Sequence, residues 1–549
     1  MRVWDYTTMD GKITGFIIAL LLLNCSSIFC QSIIPDQYML EVEESLSKES
    51  TGLKTNIVTE IVLSGEKSVW LGTNAGLAVI RNNEQVIFFD TLSIGGSIDS
   101  IFTDGISAIG ATGVQLAFAG SYTRNGFSAG SGLYLSDNAL DDVPVWRFLD
   151  QPTDAVGDSL GFFSQGYFKT IPVTTDIANV TYDIAYSKHY VWIVSWAGGL
   201  RRLHLESDNA VWERIPLPLD NDTSLNTCSD DIYAEEDGIN IISDYMLNPR
   251  DPSDGGNHNH KGFSVLAYGD TIWVGTANGI NRGIIEEKGC INWQHYYFPV
   301  DGITGNFVVG LARQIWMGEQ IIWAVTVNAD TEEERGLSYT TNDGDTWQSV
   351  PDLTNVRVYN VEAEDSIILV SSEDGLWTST DRINWSLADP PAENDVVSSR
   401  EILSTTVYSA VVDTRIGEND PTIWIGTPDG VAHLSNLFSD DWNVIQAEYD
   451  PNEVYAYPNP YSPYVHNQLN DDGWVRFHIK GEPPPILKMQ IYDFSLREVF
   501  SKTFNFAEIS GAIKWNGRDS NGRIVANGIY FVQLKWSSYE EWIKLAVVK

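Results

Sequence analysis

Two stretches of this 549-residue chain, about residues 150–177 and 218–262, combine acidic and aromatic side chains in a way that could hold and cut a sugar. Asp154, Asp158, Asp230, Asp231 and Asp244 offer carboxylates, and glycoside hydrolysis needs two of them about 5 to 9.5 Å apart across the scissile bond. Phe162, Phe163, Tyr167, Phe168 and Tyr245 could stack on pyranose rings. The bland reading competes closely. With 74 Asp and Glu in the chain, carboxylate pairs arise by chance and each of these five is more simply a solvated loop residue, and loop aromatics commonly fold their own loop onto the body of a protein. Asn257-His258-Asn259-His260 sets two histidines two residues apart, but zinc takes three or four ligands and neither a cysteine nor a third histidine lies near. After Asp254-Gly255-Gly256 the segment reads as a flexible turn. No Ser-His-Asp arrangement, phosphate-cradling glycine loop or HExxH segment is present, so no catalytic residue, metal ligand or cofactor is assigned.

The elements that position these residues follow from seven glycines, each followed by Leu, Ile or Val: Gly76, Gly132, Gly199, Gly279, Gly336, Gly375 and Gly430. Before most of them runs an apolar, aromatic-centred segment such as Val69-Trp70-Leu71-Gly72-Thr73 or Ile423-Trp424-Ile425-Gly426-Thr427. Each unit therefore reads as strand, tight turn, strand, with Asn, Asp and Gly supplying the positive φ that a hairpin needs. Seven units over residues 52–447 fit the ~40 to 50 residues of a propeller blade, so the fold expected is an all-β, seven-bladed β-propeller. Insertions at about 150–177, 218–262 and 388–400 all join an outer strand to the next blade's inner strand. They emerge on one face, together with expanded turns at 121–131 and 328–335, and long loops on a rigid scaffold mark that elaborated face as the expected binding surface.

Composition narrows the partners. A net charge of −40 argues against nucleic acid and anionic membranes, which need clustered Lys and Arg. It would suit Ca²⁺, but no loop has the spacing of a calcium motif. Lys12 followed by the apolar run 13–23 and small residues reads as an export signal, with Met9 as an alternative start and cleavage before Gln31. Leu22-Leu23-Asn24-Cys25 also has the outline of a lipoprotein signal, although Asn24 is a poor residue before a lipidated cysteine. No later segment reads as transmembrane. Of the mature cysteines, Cys228 falls in a long loop on one face and Cys290 in a turn on the other, which predicts two unpaired thiols.

Thr340-Thr341-Asn342-Asp343-Gly344-Asp345-Thr346-Trp347 resembles the Asp-box of sialidase-like and sortilin-like propellers, with Asn342 where an aspartate is usual. Residues 378–385, ending Asp381-Arg382-Ile383-Asn384-Trp385, and 205–212, containing Asp208 and Trp212, keep the spacing without the glycine. The resemblance implies structural roles for Asn342, Gly344, Trp347, Asp381 and Trp385, tying a turn and packing between blades. Arg214-Ile215-Pro216 spells the short arginine motif of sialidases, but in the outer strand of the third unit rather than ahead of the boxes, and Arg214 is expected there to cap solvent-facing surface. The Trp-x-Gly-Thr-x-x-Gly units also resemble two-component-regulator propellers, which speaks to fold and not to ligand.

From about residue 455 the pattern changes. Tyr457-Pro458-Asn459-Pro460 opens a segment of alternating strands that includes Trp515-Asn516-Gly517-Arg518-Asp519 and Asn527-Gly528-Ile529-Tyr530-Phe531 and ends in Ile543-Lys544-Leu545-Ala546-Val547. It closely resembles the flagellar hook-cap (FlgD) type Ig-like domain and the C-terminal sorting domain of type IX secretion, which implies an Ig-like β-sandwich serving passage across an outer membrane or surface attachment. The organisation expected is a signal peptide at 1–30, a linker at 31–51, the propeller at 52–447, a linker at 448–456 and the Ig-like domain at 457–549. The function expected is that of an exported, non-catalytic protein binding protein or glycan through its elaborated face and engaging secretion machinery through its last domain. An extracellular glycoside hydrolase using face carboxylates is the alternative.

Overall fold

The computed structural model describes residues 52–549 apart from 82–84, 95–96, 102, 164–165, 207–210, 329–332, 389, 391–400, 416–420, 435–441, 448–452, 482–483 and 507–511. The expected signal and first linker, the Asp208 turn and most of the third insertion lie outside the described residues. Seven antiparallel sheets follow one another as the blades of a β-propeller, and an Ig-like β-sandwich closes the chain. Blade 1 is Val58–Ser64, Ser68–Thr73, Gly76–Arg81 and Gln85–Phe89, from inner to outer strand. The inner strands of blades 2 to 7 are Gly105–Thr112, Thr181–Tyr186, Gly262–Tyr268, Phe307–Trp316, Val358–Glu364 and Ser409–Asp413.

The sequence repeat has a direct physical meaning. The Thr or Ser that ends the second strand points its hydroxyl into the turn, where Thr73 donates to the carbonyl of Gly76 at 2.6 Å and accepts from the amide of Ala75. Ser372 and Thr427 make the same pair of bonds to their turns. All seven turn glycines have positive φ, and at Gly279 a Cβ would come within 2.1 Å of the Tyr296 carbonyl, so no other residue fits there. The glycine inside the strand serves a different purpose: at Gly426 the inner strand of blade 1 comes so near that a Cβ would meet the Val58 carbonyl at 2.8 Å. Blade 7 therefore packs on blade 1 and the ring closes. Arg415 completes that seam by donating to the carbonyls of Ser64, Gly65 and Ser68.

Two features depart from a plain ring. A hairpin, Thr91–Ile94 and Ser97–Ser100, adds parallel to the outer strand Val145–Leu149 and widens blade 2 to six strands. The two described insertions also build a sheet of their own, in which Leu160–Phe163 and Gly166–Thr170 form a hairpin that pairs parallel with Ile239–Leu247, itself paired with Tyr233–Glu236.

The second insertion also corrects the cysteine reading, because Cys228 and Cys290 form a disulfide with 5.2 Å between their Cα atoms. Ser224–Asn226 joins the outer edge of blade 4, antiparallel to Ile291–Tyr296, and so carries the chain down the rim from one face to the other. Loop length alone gave no sign of that descent.

In the sandwich, a three-stranded sheet of Tyr455–Tyr457, Val475–His478 and Ile513–Trp515 faces a four-stranded sheet of Glu498–Asn505, Ile486–Tyr492, Gly528–Trp536 and Tyr539–Val547. Alternation puts Val475, Phe477, Leu487, Met489, Ile491, Trp515, Val532 and Leu545 between them. Its first strand begins within the stretch expected to be a linker. The outward residues of the three-stranded sheet meet the propeller: Arg476 grips Asp429 with both terminal nitrogens, at 2.6 and 2.5 Å, and Lys514 pairs with Glu401 at 2.7 Å. Asp429 and Glu401 are wholly buried. Asp429 also accepts from the Leu403 amide, and the neighbouring Gly430 amide donates to the Asn56 carbonyl, so the sandwich is seated on the ring's closing seam.

Candidate functional site

The first insertion returns to the ring over the expanded turn of blade 2. Asp176 accepts from Tyr122 and from Arg124, both at 2.5 Å, and backbone bonds link Gly130 to Asp176 and Ala178 to Ser128. The second insertion is tied to the turn of blade 4, where the Asp220 carboxylate accepts from the amides of His258 and Asn259 and its carbonyl from the Asn278 side chain. Both insertions thus share one face with the turns between second and third strands.

The inserted sheet has two unlike sides. Phe163, Phe168, Ile242, Tyr245 and Leu247 point inward and pack with Trp192, Val194, Ile215, Val274 and Trp293 of blades 3 and 4. Three of the five aromatics considered for sugar stacking, Phe163, Phe168 and Tyr245, are therefore core residues, and the Tyr245 hydroxyl is spent on the Leu217 carbonyl. Phe162 and Tyr167 face outward, directly opposite one another across the hairpin with ring centroids 5.3 Å apart. Met246 and Lys169, a cross-strand pair, are exposed on the same sheet, and Lys169 bonds Glu236. The outward side is a small amphipathic patch.

A buried ionic bed lies beneath. Asp154 accepts from Arg214 at 2.6 Å and from Arg201 at 3.5 Å, and Arg214 also donates to Thr170 and Thr174. All three charged side chains are more than nine-tenths buried. Two expectations fail here: Arg214 is not a surface cap, and Asp154 is not a solvated loop residue. Burial, and after it the charge of Arg214, pulls Arg201 down to about 9. Burial likewise lowers Arg214, and it lowers Lys261 to about 8, with the Lys261 ammonium on the Pro249 carbonyl and 5.5 Å from the Trp196 ring. His260 stays neutral because burial holds it far below its ordinary value; its ring meets the Ala197 carbonyl. Asn259 is buried among Asn281, Thr276 and Pro218. The two-histidine segment thus builds structure. Among the described residues, Cys228, Glu286 and Cys290 come close enough together to suggest a metal, but the disulfide leaves no thiolate for one.

At the head of the inner strands on this face, Tyr182, Trp196, Phe263 and Phe307 from blades 3 to 5 form an aromatic cluster, and Tyr359 packs on Tyr408 across blades 6 and 7. Just below, six inner strands carry a bulge, and the side chain after it reaches the next blade in several cases. Asp183 accepts from the Val265 amide of blade 4 at 2.8 Å, Glu60 accepts from the Ile109 amide of blade 2, and Ser264 donates to the Val308 carbonyl of blade 5. Burial raises Asp183 to about 6, and burial, with the charge of Asp183 after it, raises Glu60 well above its ordinary value. Burial, then Glu364, raises Glu362 to about 7.

The box residues lie away from this face. Asn342 accepts from the Thr346 amide, and the Gly344 amide donates to Thr340. Asp381 accepts from the amides of Asn384 and Ile383 and from the Asn384 side chain, which hold it at about 2. Trp347 meets Trp273 edge-on at 6.0 Å and Trp385 meets Trp323 at 6.3 Å, so each packs on the central tryptophan of the preceding blade.

No protein-family model and no curated protein matches the chain. Solved structures similar to it include PorZ, an essential bacterial surface component of the type-IX secretion system of Porphyromonas gingivalis, at 14% identity and TM-score 0.32, covering 90% of this chain and 71% of that one. The β-propeller domain of Cps50 (Swd1) from Myceliophteria thermophila is similar at 11% identity and TM-score 0.36, over 71% of this chain and 99% of that one. BamB from Moraxella catarrhalis follows at 10% identity and TM-score 0.34, over 72% and 98%. Among the described residues no helix is long and apolar enough to cross a membrane.

Sequence reasoning placed the two described insertions on a common face but missed the charges buried beneath them. Arg201 and Arg202 are adjacent in one strand, so they point to opposite sides of a blade buried on both, and that doublet was the available signal for two internal charges. Arg202 is fully buried on the other side, bonded to Glu213 and to the Gly289 carbonyl of blade 4.

Proposed function

We propose that the chain is an exported, non-catalytic binding protein that presents its elaborated propeller face to a protein or glycan, and that its Ig-like domain serves type IX-like secretion or surface attachment. One observation carries the first half. The first two insertions are not free loops: their described strands are ordered into a hydrogen-bonded sheet, anchored on blades 3 and 4 by a buried core and the Asp154 bed, with Phe162, Tyr167, Lys169 and Met246 turned outward. Rigid aromatic and long side chains on a scaffold suit recognition, since little conformational freedom is lost on binding. The hydrolase reading loses Asp154, whose carboxylate is committed to two arginines, while Asp158, Asp231 and Asp244 are exposed. The second half rests on the sequence resemblance of residues 457–549.

Glycan-array binding and hydrolysis assays on the mature full-length protein test the reading. Binding without turnover, weakened at least tenfold by Phe162→Ala with Tyr167→Ala, is expected. Turnover abolished by replacing Asp158, Asp230, Asp231 or Asp244 would establish the hydrolase instead.

A further inference from the structure

The four-stranded sheet of the sandwich turns its outer side away from the propeller, because the three-stranded sheet is the one that carries Arg476 and Lys514 to blade 7. That outer side is rich in rings. Trp542 and Phe494 are exposed, Tyr492 lies 5.7 Å from Trp542, and Phe531 lies 6.4 Å from Phe494. A chain of hydrogen bonds fixes the arrangement: the Trp542 indole donates to Glu540, Gln533 donates to the same carboxylate, and the Tyr492 hydroxyl donates to Gln533. Gln533 is itself buried, so the two rings stand on a rigid base.

Two residues beyond Gln533 and Trp542, about 7 Å along the strands and about 13 Å from Tyr492 on its own strand, two lysines stand side by side. Lys488 and Lys535 are direct cross-strand partners, an arrangement that like charges disfavour. Lys535 has Glu540 at 3.6 Å, whereas Lys488 has no ion pair among the described residues. Both line an open pocket of about 390 Å³, whose other walls are Pro485, Ile486, Trp536 and Ser537. The chain as a whole carries −40, but from residue 455 onward, once Arg476 and Lys514 are spent on the propeller's Asp429 and Glu401, the remaining Lys and Arg balance Asp and Glu. An anionic polymer therefore meets far less repulsion here than on the propeller, and the attraction is local to the two lysines.

We propose that this face binds an acidic polysaccharide, with pyranose rings on Tyr492 and Trp542 and the anionic substituents at Lys488 and Lys535. Aromatic platforms stack on the apolar faces of sugars, and paired ammonium groups select charged over neutral chains. The site is separate from the elaborated propeller face and does not depend on the function proposed for it.

Affinity electrophoresis of the full-length mature protein, in gels containing polygalacturonate, chondroitin sulfate or neutral dextran, tests this. Retardation is expected in polygalacturonate or chondroitin sulfate but not in dextran, falling with added salt; the two acidic gels tell carboxylate from sulfate preference. The double variant Lys488→Gln/Lys535→Gln and, separately, Trp542→Ala should each weaken it at least tenfold, with unchanged mobility in polymer-free gel and unchanged circular dichroism showing that both fold. Equal retardation by dextran, no retardation by either acidic polymer, or undiminished retardation of both variants overturns the proposal. If the variants bind polysaccharide normally but fail to be exported, the face belongs to secretion machinery and the proposal falls as well.

Discussion

Two seams of this molecule are held by buried arginines, and they are balanced differently. Where the sandwich meets the closing seam of the ring, two cations face two buried carboxylates, Arg476 with Asp429 and Lys514 with Glu401. Asp429 and Glu401 more than offset the burial of Arg476, whose pKa lies above its ordinary value. Where the inserted sheet meets blade 3, Arg201 and Arg214 share the single carboxylate of Asp154, and burial lowers both arginines. The first seam is a neutral lock suited to permanence. The second keeps excess positive charge beneath the face that carries the proposed binding surface, so its order depends on one residue.

The largest effect is expected from Asp154→Asn. It leaves two buried arginines without their shared counter-ion, a class of change that costs about 3–5 kcal/mol. Thermal unfolding should show either a much lower Tm or a separate early transition for the insertions, and a shift under about 1 kcal/mol would mean that the bed is hydrated and unimportant. Arg476→Met follows, at about 3 kcal/mol, since it strands Asp429 in the interface. Here loss of the sandwich's docking should accompany destabilisation of blade 7, readable as a lower Tm and a separate unfolding transition for the sandwich in calorimetry. Deletion of residues 457–549 should leave the ring folded on its Arg415 seam but less stable, because Asp429 and Glu401 lose their partners.

A smaller, distributed effect should come from pH. Asp183 and Glu362 titrate near 6 and 7 in the folded protein because burial favours their neutral forms, against about 4 when unfolded. The folded state therefore holds more protons, its stability is greatest below about pH 4 as far as these two groups are concerned, and this contribution fades as pH rises to 7. Each should contribute about 1 kcal/mol or more. Asp183→Asn, which retains an acceptor for the Val265 amide, should flatten part of that slope in denaturant titrations; an unchanged slope would show that the inner-strand carboxylates are solvated.

The repeat was legible because its reasons are local. A glycine at positive φ, a threonine closing the turn and a tryptophan between blades leave their mark within seven residues, so seven blades could be counted from the sequence. The insertions were legible only as lengths. Whether Phe163 and Phe168 turn inward while Phe162 and Tyr167 turn outward depends on a parallel pairing with a strand some seventy residues later, which no local pattern announces. The disulfide was hidden for the same reason, since a three-residue strand on the rim of blade 4 moved Cys228 across the molecule. The docking of the sandwich was hidden too: Arg476 and Lys514 read as ordinary solvent-side residues of alternating strands until Asp429 and Glu401 are placed opposite them.

Amide hydrogen exchange on the full-length protein tests most directly the central claim that the insertions form a rigid presenting surface. The amides of Gly166–Thr170 and Ile239–Leu247 are expected to be protected to the same degree as those of Tyr190–Ser195 in blade 3, and to lose that protection in Asp154→Asn. Exchange of the inserted sheet at the rate of an open loop in the parent protein, while blade 3 stays protected, would contradict it.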